Sequence, residues 1–362
     1  MITTETAFKI SKEDITWLKQ YIKNSSPSGN EVSGQKIWLD YITPYIDDYF
    51  TDAYGNVAAV INPGQKFKVV IEAHADEIAW YVHFITKDGF LHVEKNGGID
   101  PGIAPSQRVI IRTETGTVKG IFGWPAIHTR SSSKQPTPDN IFVDCGCRSK
   151  KEVEELGIQI GDCITYESGL SVLNKRFFVG RGQDNKMGGY MIANVAKLLR
   201  ENDVKLPYTL YIVNAVQEEV GLRGASMMSN RIQPDVAIVT DVTHATHTPL
   251  VSELKQGDIA LGRGPVIKKA PPIHNKLREY IVNTARENNI PFQLSVSAKK
   301  SGTDADAFAY TKAGIPSALI SLPLRYMHTT VETTAKSDIR NTVKLLYEVV
   351  QNMSPDFDFK YL

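Results

Sequence analysis

Apolar positions near the start of the chain fall into a helical register. Ser11 and Asp14 form a capping-box start, and Ile15, Leu18, Tyr21 and Ile22 follow on one face. "SSPSGNE" (25–31) breaks that helix, and extended segments lead to "FKVVIEAHADE". There the run Val69-Val70-Ile71 predicts a strand buried on both faces. From about residue 78 to 170 the period shortens to two. "WYVHFITKDGFLHVEK" and "RVIIRTETGTVKGIFG" are short alternating strands with Asp-Gly and Thr-Gly turns, and no helical pattern appears before Ser149. After about residue 172 strands and helices alternate. "NKMGGYMIANVAKLLREN" predicts a helix, "YTLYIVNAV" and "DVAIVTDV" strands, "NKLREYIVNTAREN" a helix and "SALISL" a strand. "KSDIRNTVKLLYEVVQNM" closes the series as a helix with Ile339, Val343, Leu346 and Val350 on one face.

Such alternation predicts an α/β sheet covered by helices on both sides. The same pattern stands before and after the β-rich stretch, so that stretch is an insertion. The expected organisation is one α/β domain formed by residues 1–77 and 171–362, interrupted by a β-rich unit at 78–170. No internal repeat is visible.

The 362 residues carry 41 Lys and Arg against 40 Asp and Glu, which gives no broad basic face for nucleic acid. No apolar run approaches the roughly 20 residues that span a bilayer, so no membrane partner is expected. The N-terminus lacks a basic segment followed by an apolar one, so no secretory signal is expected either. Cys145-Gly146-Cys147 is too tight for a zinc knuckle, and with Cys163 the three cysteines read as free thiols of a reducing, cytoplasmic compartment. "HTRSSSKQPTPDN" (128–140) is a polar, proline-bearing loop expected to be mobile.

Ligands of open α/β sheets bind beyond the carboxyl ends of the strands. His74 and Asp76 follow the strand at 69–71, Glu218 and Glu219 follow 208–213, Asp241 follows 237–239, and His328 follows 318–322. Asp184 stands just ahead of the helix predicted from Lys186. Taken alone, the adjacent glutamates of "NAVQEEVGLRGA" fit either a solvated turn or a pair held at a site. Five separate segments delivering imidazole or carboxylate to one sheet edge favour the site. So many carboxylates cannot stay ionised together without cations, and mixed N and O donors without thiolate suit zinc, cobalt or manganese. Two divalent ions sharing one carboxylate use five ligands and leave one glutamate free as a general base for hydrolysis.

The chain resembles metallopeptidase family 42, the tetrahedral and glutamyl aminopeptidases, some members of which carry the description endoglucanase. The motifs run nearly end to end: "AHADEIAW", "NGGIDP" with "SQRVII", "FVDCGCRSKKEVEELGIQIGD", "VQEEVGLRGA", "DVTHATHTP", "GRGPVIK" and "SGTDADAFAYTKAGIPSALISLPLRYMHTTVE". The resemblance implies a three-layer α/β/α di-zinc-peptidase-like catalytic domain with an inserted, PDZ-like small β-barrel that mediates dimerisation within a dodecamer. It implies a metallo-aminopeptidase acting on peptide substrates with two Zn²⁺ or Co²⁺ ions per subunit. His74 and Asp241 would hold one metal, Glu219 and His328 the other, and Asp184 would bridge. Glu218 would be the base and Asp76 would orient His74. The chain departs from the family where Ala73 and Ala75 flank His74, Asn185-Lys186 follow Asp184, and Thr329-Thr330 follow His328. Those changes bear on substrate range rather than on activity.

A di-metal deacylase of N-acyl amino acids fits the same chemistry. A glycosidase leaves the histidines and Asp184 without a role, and a purely structural metal site has no use for a spare Glu218. Arg325, Lys299, Lys300 and "SGTDADA" are the candidates for the first-residue pocket. Of the other histidines, His83 and His92 read as structural or exposed, and His274 has no expected role. His244, His247 and His128 are possible substrate contacts.

Overall fold

The computed structural model describes residues 9–130 and 135–362. Residues 131–134, inside the 128–140 loop, lie outside the described residues. In chain order the strands are β1 (Asp48–Thr51), β2 (Val57–Ile61), β3 (Lys68–His74), β4 (Ala79–Ile85), β5 (Phe90–Asn96) and β6 (Arg108–Thr113). They continue as β7 (Gly116–Gly123), β8 (Phe142–Asp144), β9 (Cys163–Tyr166), β10 (Ser171–Leu173), β11 (Phe177–Val179) and β12 (Thr209–Ala215). The last are β13 (Val236–His244), β14 (Val266–Lys269), β15 (Gln293–Val296), β16 (Ser317–Arg325) and β17 (Thr333–Ala335).

The larger sheet has the order β1-β2-β12-β3-β13-β16-β17-β11-β10, with β14 paired to β16 and β15 to β14. Its centre, β12, β3, β13 and β16, is parallel. Successive side chains of a strand face opposite ways, and the two cores follow that alternation. Val69 and Ile71 of β3, Ile238 of β13 and Ile320 of β16 join one core, with Leu18, Trp38, Leu198, Ile281 and Leu346 from the helices. Val70, Val239 and Leu319 join the other, under Met228 and Phe308. Helices therefore cover both faces, giving the three-layer α/β/α architecture expected.

The inserted strands close a barrel in the order β4-β5-β8-β7-β6-β9. Its interior is filled by Trp80, Leu91, Ile111, Phe122, Val143 and Ile164. Ser149 caps the barrel's short helix Lys150–Glu155, its hydroxyl accepting from the Glu152 N–H. The barrel enters the chain directly after β3 and returns it at β10, so one end of it lies against the edge where β3 delivers His74.

The strand expected over 235–242 runs two residues further. It holds Asp241 and, as β13, continues to His244, because β16 runs beside it in parallel register from Ser317 to Leu324. Each strand supplies the ladder partner that keeps the other extended.

Candidate metal centre

His74 ends β3 and is almost wholly buried. Its Nδ1 lies 3.2 Å from the Asp76 carbonyl and 3.3 Å from Asp76 Oδ1. A carbonyl only accepts, so Nδ1 carries a proton, and Nε2 is the ring atom that would coordinate a cation. That Nε2 faces Asp184 Oδ1 at 3.1 Å and Asp241 Oδ1 at 3.7 Å. His328 repeats the device from the other side. Its Nδ1 donates to the Gly98 carbonyl at 3.1 Å, and its Nε2 lies 3.3 Å from both Asp184 Oδ2 and Glu219 Oε1. Three triads result, each with ligand atoms within 4.8 Å: His74–Asp184–Asp241 and Asp184–Glu219–His328, which share Asp184, and His74–Glu218–Glu219, which lacks it. In the third, Glu218 Oε2 lies 4.0 Å from His74 Nε2.

Asp76 does more than orient an imidazole. Its carboxylate also accepts from the backbone N–H of Glu218 at 2.9 Å and of Glu219 at 3.2 Å, and from the Ser28 hydroxyl at 2.6 Å. The end of β3 thus fixes the turn after β12. Gln217 and Leu222 in that turn, and Tyr326 and His328 in the one after β16, hold left-handed backbone conformations (φ 58, 61, 61 and 62°). Such non-glycine strain persists where the surroundings dictate it.

None of Asp184, Glu218, Glu219 and Asp241 has a Lys or Arg within ion-pair distance among the described residues. Burial, with the neighbouring carboxylates adding to it, pushes Glu218 up to about 10 and Asp241 upward. Burial is also the main cause that raises Glu219 to about 7. For Asp184 burial works the same way, but hydrogen bonds from His328 and His74 outweigh it and hold its carboxyl below the ordinary range. For His74 and His328 burial opposes the charge. Their carboxylate partners prevail, raising His74 well above its ordinary value and His328 to about 11. Crowded acids with only imidazoles between them are a donor set that divalent cations fit.

Sequence reasoning missed the frame around these groups. Glu332, buried, accepts from the backbone N–H of His328 (2.9 Å), Gln183 (2.7 Å) and Asp184 (3.2 Å), tying two ligand-bearing loops together. Glu77, buried, pairs with Arg181 and with Lys186 at 2.7 Å. Burial alone would raise the Glu77 pKa, but the two cations hold it down to about 2. Glu72 and Asp304 are fully buried nearby and raised by burial, Glu72 to about 8. Of these groups only Glu72, inside the apolar run Val69–Ala73, left a hint in the sequence.

"NGGIDP" also gains a reason. A Cβ on Gly97 would come within 3.2 Å of Glu219 Cβ, and one on Gly98 within 3.0 Å of the His328 ring. The loop after β5 of the barrel must press its bare backbone against the centre.

An open cleft of about 230 Å³ lies over the triads, lined further by His244, Lys268, Ser301, Gly302, Thr303 and Met327. The expected pocket residues divide. The start of "SGTDADA" lines the cleft, whereas Lys299 and Lys300 are exposed outside it and Arg325 turns to the His247 carbonyl at 3.0 Å. Lys268, from β14, is the cation that does reach the cleft. His247 instead pairs with Asp258 at 2.6 Å, His274 stacks on Tyr361, and His83 and His128 are exposed.

The profile of the M42 glutamyl aminopeptidases matches residues 55–345. The chain belongs to that family. As an M42 member it is a metal-dependent hydrolase of the aminopeptidase class, as its motifs led one to expect. The lysyl aminopeptidase of Pyrococcus furiosus is 34% identical to it over 345 residues, covering 93% of this chain and 97% of that one. A TET aminopeptidase from a marine sediment archaeon, Thaumarchaeota archaeon SCGC AB-539-E09, superposes with a TM-score of 0.91 at 29% identity, covering 96% and 98%. The TET1 peptidase of Pyrococcus horikoshii, which can assemble into a tetrahedron or a large octahedral shell, gives 0.83 at 28%, covering 94% and 99%.

Proposed function

We propose that this M42 member removes the first residue of peptides with a pair of divalent cations, zinc or cobalt. His74 and Asp241 would hold one, Glu219 and His328 the other, and Asp184 both. Two triads sharing one carboxylate is the observation that carries this. When bound, such a pair would supply Lewis acidity toward a carbonyl and lower the pKa of a bound water.

The chain's own groups do the rest. Glu218 belongs to neither of the two triads that share Asp184, so it takes the proton of the attacking water and returns it to the leaving amine. Asp76 sets the His74 ring and the backbone of both glutamates, so base and ligands keep one geometry. Lys268 donates to the Ser301 carbonyl at 3.2 Å and has no ion-pair partner among the described residues. It would meet an acidic side chain on the first residue of the substrate.

Copies of the chain are inferred to assemble into a homo-oligomer, from dimer to dodecamer, through the barrel. The three free cysteines support the cytoplasmic expectation, and no described helix is long and apolar enough to cross a membrane.

Chelation tests the core of this. Metal-stripped protein should lose hydrolysis of aminoacyl-p-nitroanilides and regain it with Zn²⁺ or Co²⁺. Full activity without metal rejects the centre, and turnover of N-acyl amino acids in preference to aminoacyl substrates rejects the aminopeptidase reaction.

A further inference from the structure

Cys145 and Cys147 play no part in the cleft. They lie in the turn that leaves β8, whose Asp144 is paired with Phe90 at the start of β5. The loop that touches His328 follows Asn96 at the other end of β5. Seven residues of strand separate the two ends by roughly 20 Å.

Their thiols point the same way, with Sγ–Sγ 3.7 Å, and both side chains are half-buried, whereas Cys163 is buried and receives a hydrogen bond from Asn30. Gly146, between them, is exposed with φ +80°, and a Cβ there would touch nothing. The backbone on either side is held. Gly146 N–H donates to Asp144 Oδ1 at 2.8 Å, and Arg148 N–H to Glu152 Oε2 at 2.8 Å. Gly89 lies so close that a Cβ would sit 2.9 Å from the Cys147 carbonyl. The two sulfurs therefore start 3.7 Å apart on a turn whose backbone is held on both sides.

We propose that Cys145 and Cys147 form a reversible disulfide, a redox site on the barrel apart from the hydrolytic centre. The Cys147 thiolate attacks one sulfur of a small disulfide such as oxidised glutathione. A mixed disulfide forms at Cys147 and one glutathione thiolate leaves. Cys145 gives its proton to solvent and attacks the Cys147 sulfur, forming the internal bond and releasing the second glutathione. Two electrons pass to the oxidant, and the two thiol protons end on the two glutathiones. Burial, then contact with the Cys147 thiol, pushes Cys145 up to about 12, which disfavours it as the first attacker; its own attack is intramolecular, on a sulfur already beside it. The ring closed by residues two apart is small and strained, so a reductant reopens it readily.

The test equilibrates the intact protein with glutathione buffers of rising oxidised fraction, then alkylates and weighs it. Two of the three thiols should disappear together, with no glutathione retained and a Cys145–Cys147 link in the peptide map. Dithiothreitol should restore them. Cys145→Ser should stop as a single glutathione adduct on Cys147, while Cys163→Ser still closes the link. Three alkylatable thiols at every ratio, wild type halting as an adduct, or a link to Cys163 would each overturn the proposal.

Discussion

Glu218 and Glu219 share one turn and one anchor, since both backbone N–H groups donate to Asp76. Their side chains part company: Glu219 meets His328 at 3.3 Å, while Glu218 reaches only the edge of His74 at 4.0 Å. Glu218→Gln should therefore keep both metals and lower turnover by about 10²–10⁴-fold. Glu219→Gln should lose one metal as well as turnover. Metal content by mass spectrometry beside kcat separates them, and the reverse outcome would exchange the two roles. Lys268 yields to a similar contrast. Lys268→Met removes a charged donor worth about 1.5–3 kcal/mol, so kcat/KM for a glutamyl p-nitroanilide should fall by about 10–100-fold. The leucyl substrate should change little. Equal losses on both would mean that Lys268 supports the cleft without reading the substrate.

Elements explain what the sequence could and could not disclose. His74, Glu218, Glu219 and His328 were legible because each follows a run of apolar strand residues, and parallel strands bring such ends together. Lys268 was not legible as a pocket residue. It comes from β14, which runs antiparallel to β16 through Val266–Ser321, and only that long-range pairing turns it to the cleft. Arg325 and Lys300 are as basic in the sequence, but nothing local says that one turns to a carbonyl and the other to solvent. The Glu77–Arg181–Lys186 cluster was hidden for the same reason. It clamps the segment after β3 to the start of the helix Gln183–Glu201, with Lys186 also donating to the Asn24 carbonyl at 2.6 Å. Removing one partner from such a buried group costs about 3–5 kcal/mol, so Glu77→Gln should unfold at markedly lower denaturant. The folded Glu77 pKa, about 2, is below its ordinary 4.5. Its contribution is thus complete above pH 4.5 and lost as pH falls toward 2. Wild type and Glu77→Gln should converge in stability across that window; a gap that stays constant would show that packing, not charge, holds the clamp.

The whole molecule carries a formal net charge of +1, so long-range repulsion does little to keep copies apart. A closed barrel has no free strand edge to offer a partner, and any association through it must use side chains on its outer face. Phe84 on β4 and Ile121 on β7 stand about half exposed there, and Ile127 and Ile160 more so. These exposed apolar side chains are the positions at which a contact through the barrel is tested first. Phe84→Asp and Ile121→Asp replace side chains that fill no interior space, so the barrel should keep its fold and its thermal transition. A charge placed in a subunit contact is costly to bury, so light scattering should report a smaller species at the same protein concentration. Because the loop after β5 reaches His328 from within the same chain, the smaller species should still bind metal. A wild-type chain that already runs as a monomer, or variants that keep the parent mass, would assign assembly to a different face. The edge strands β1, β10 and β15 of the larger sheet would then be the next surfaces to charge.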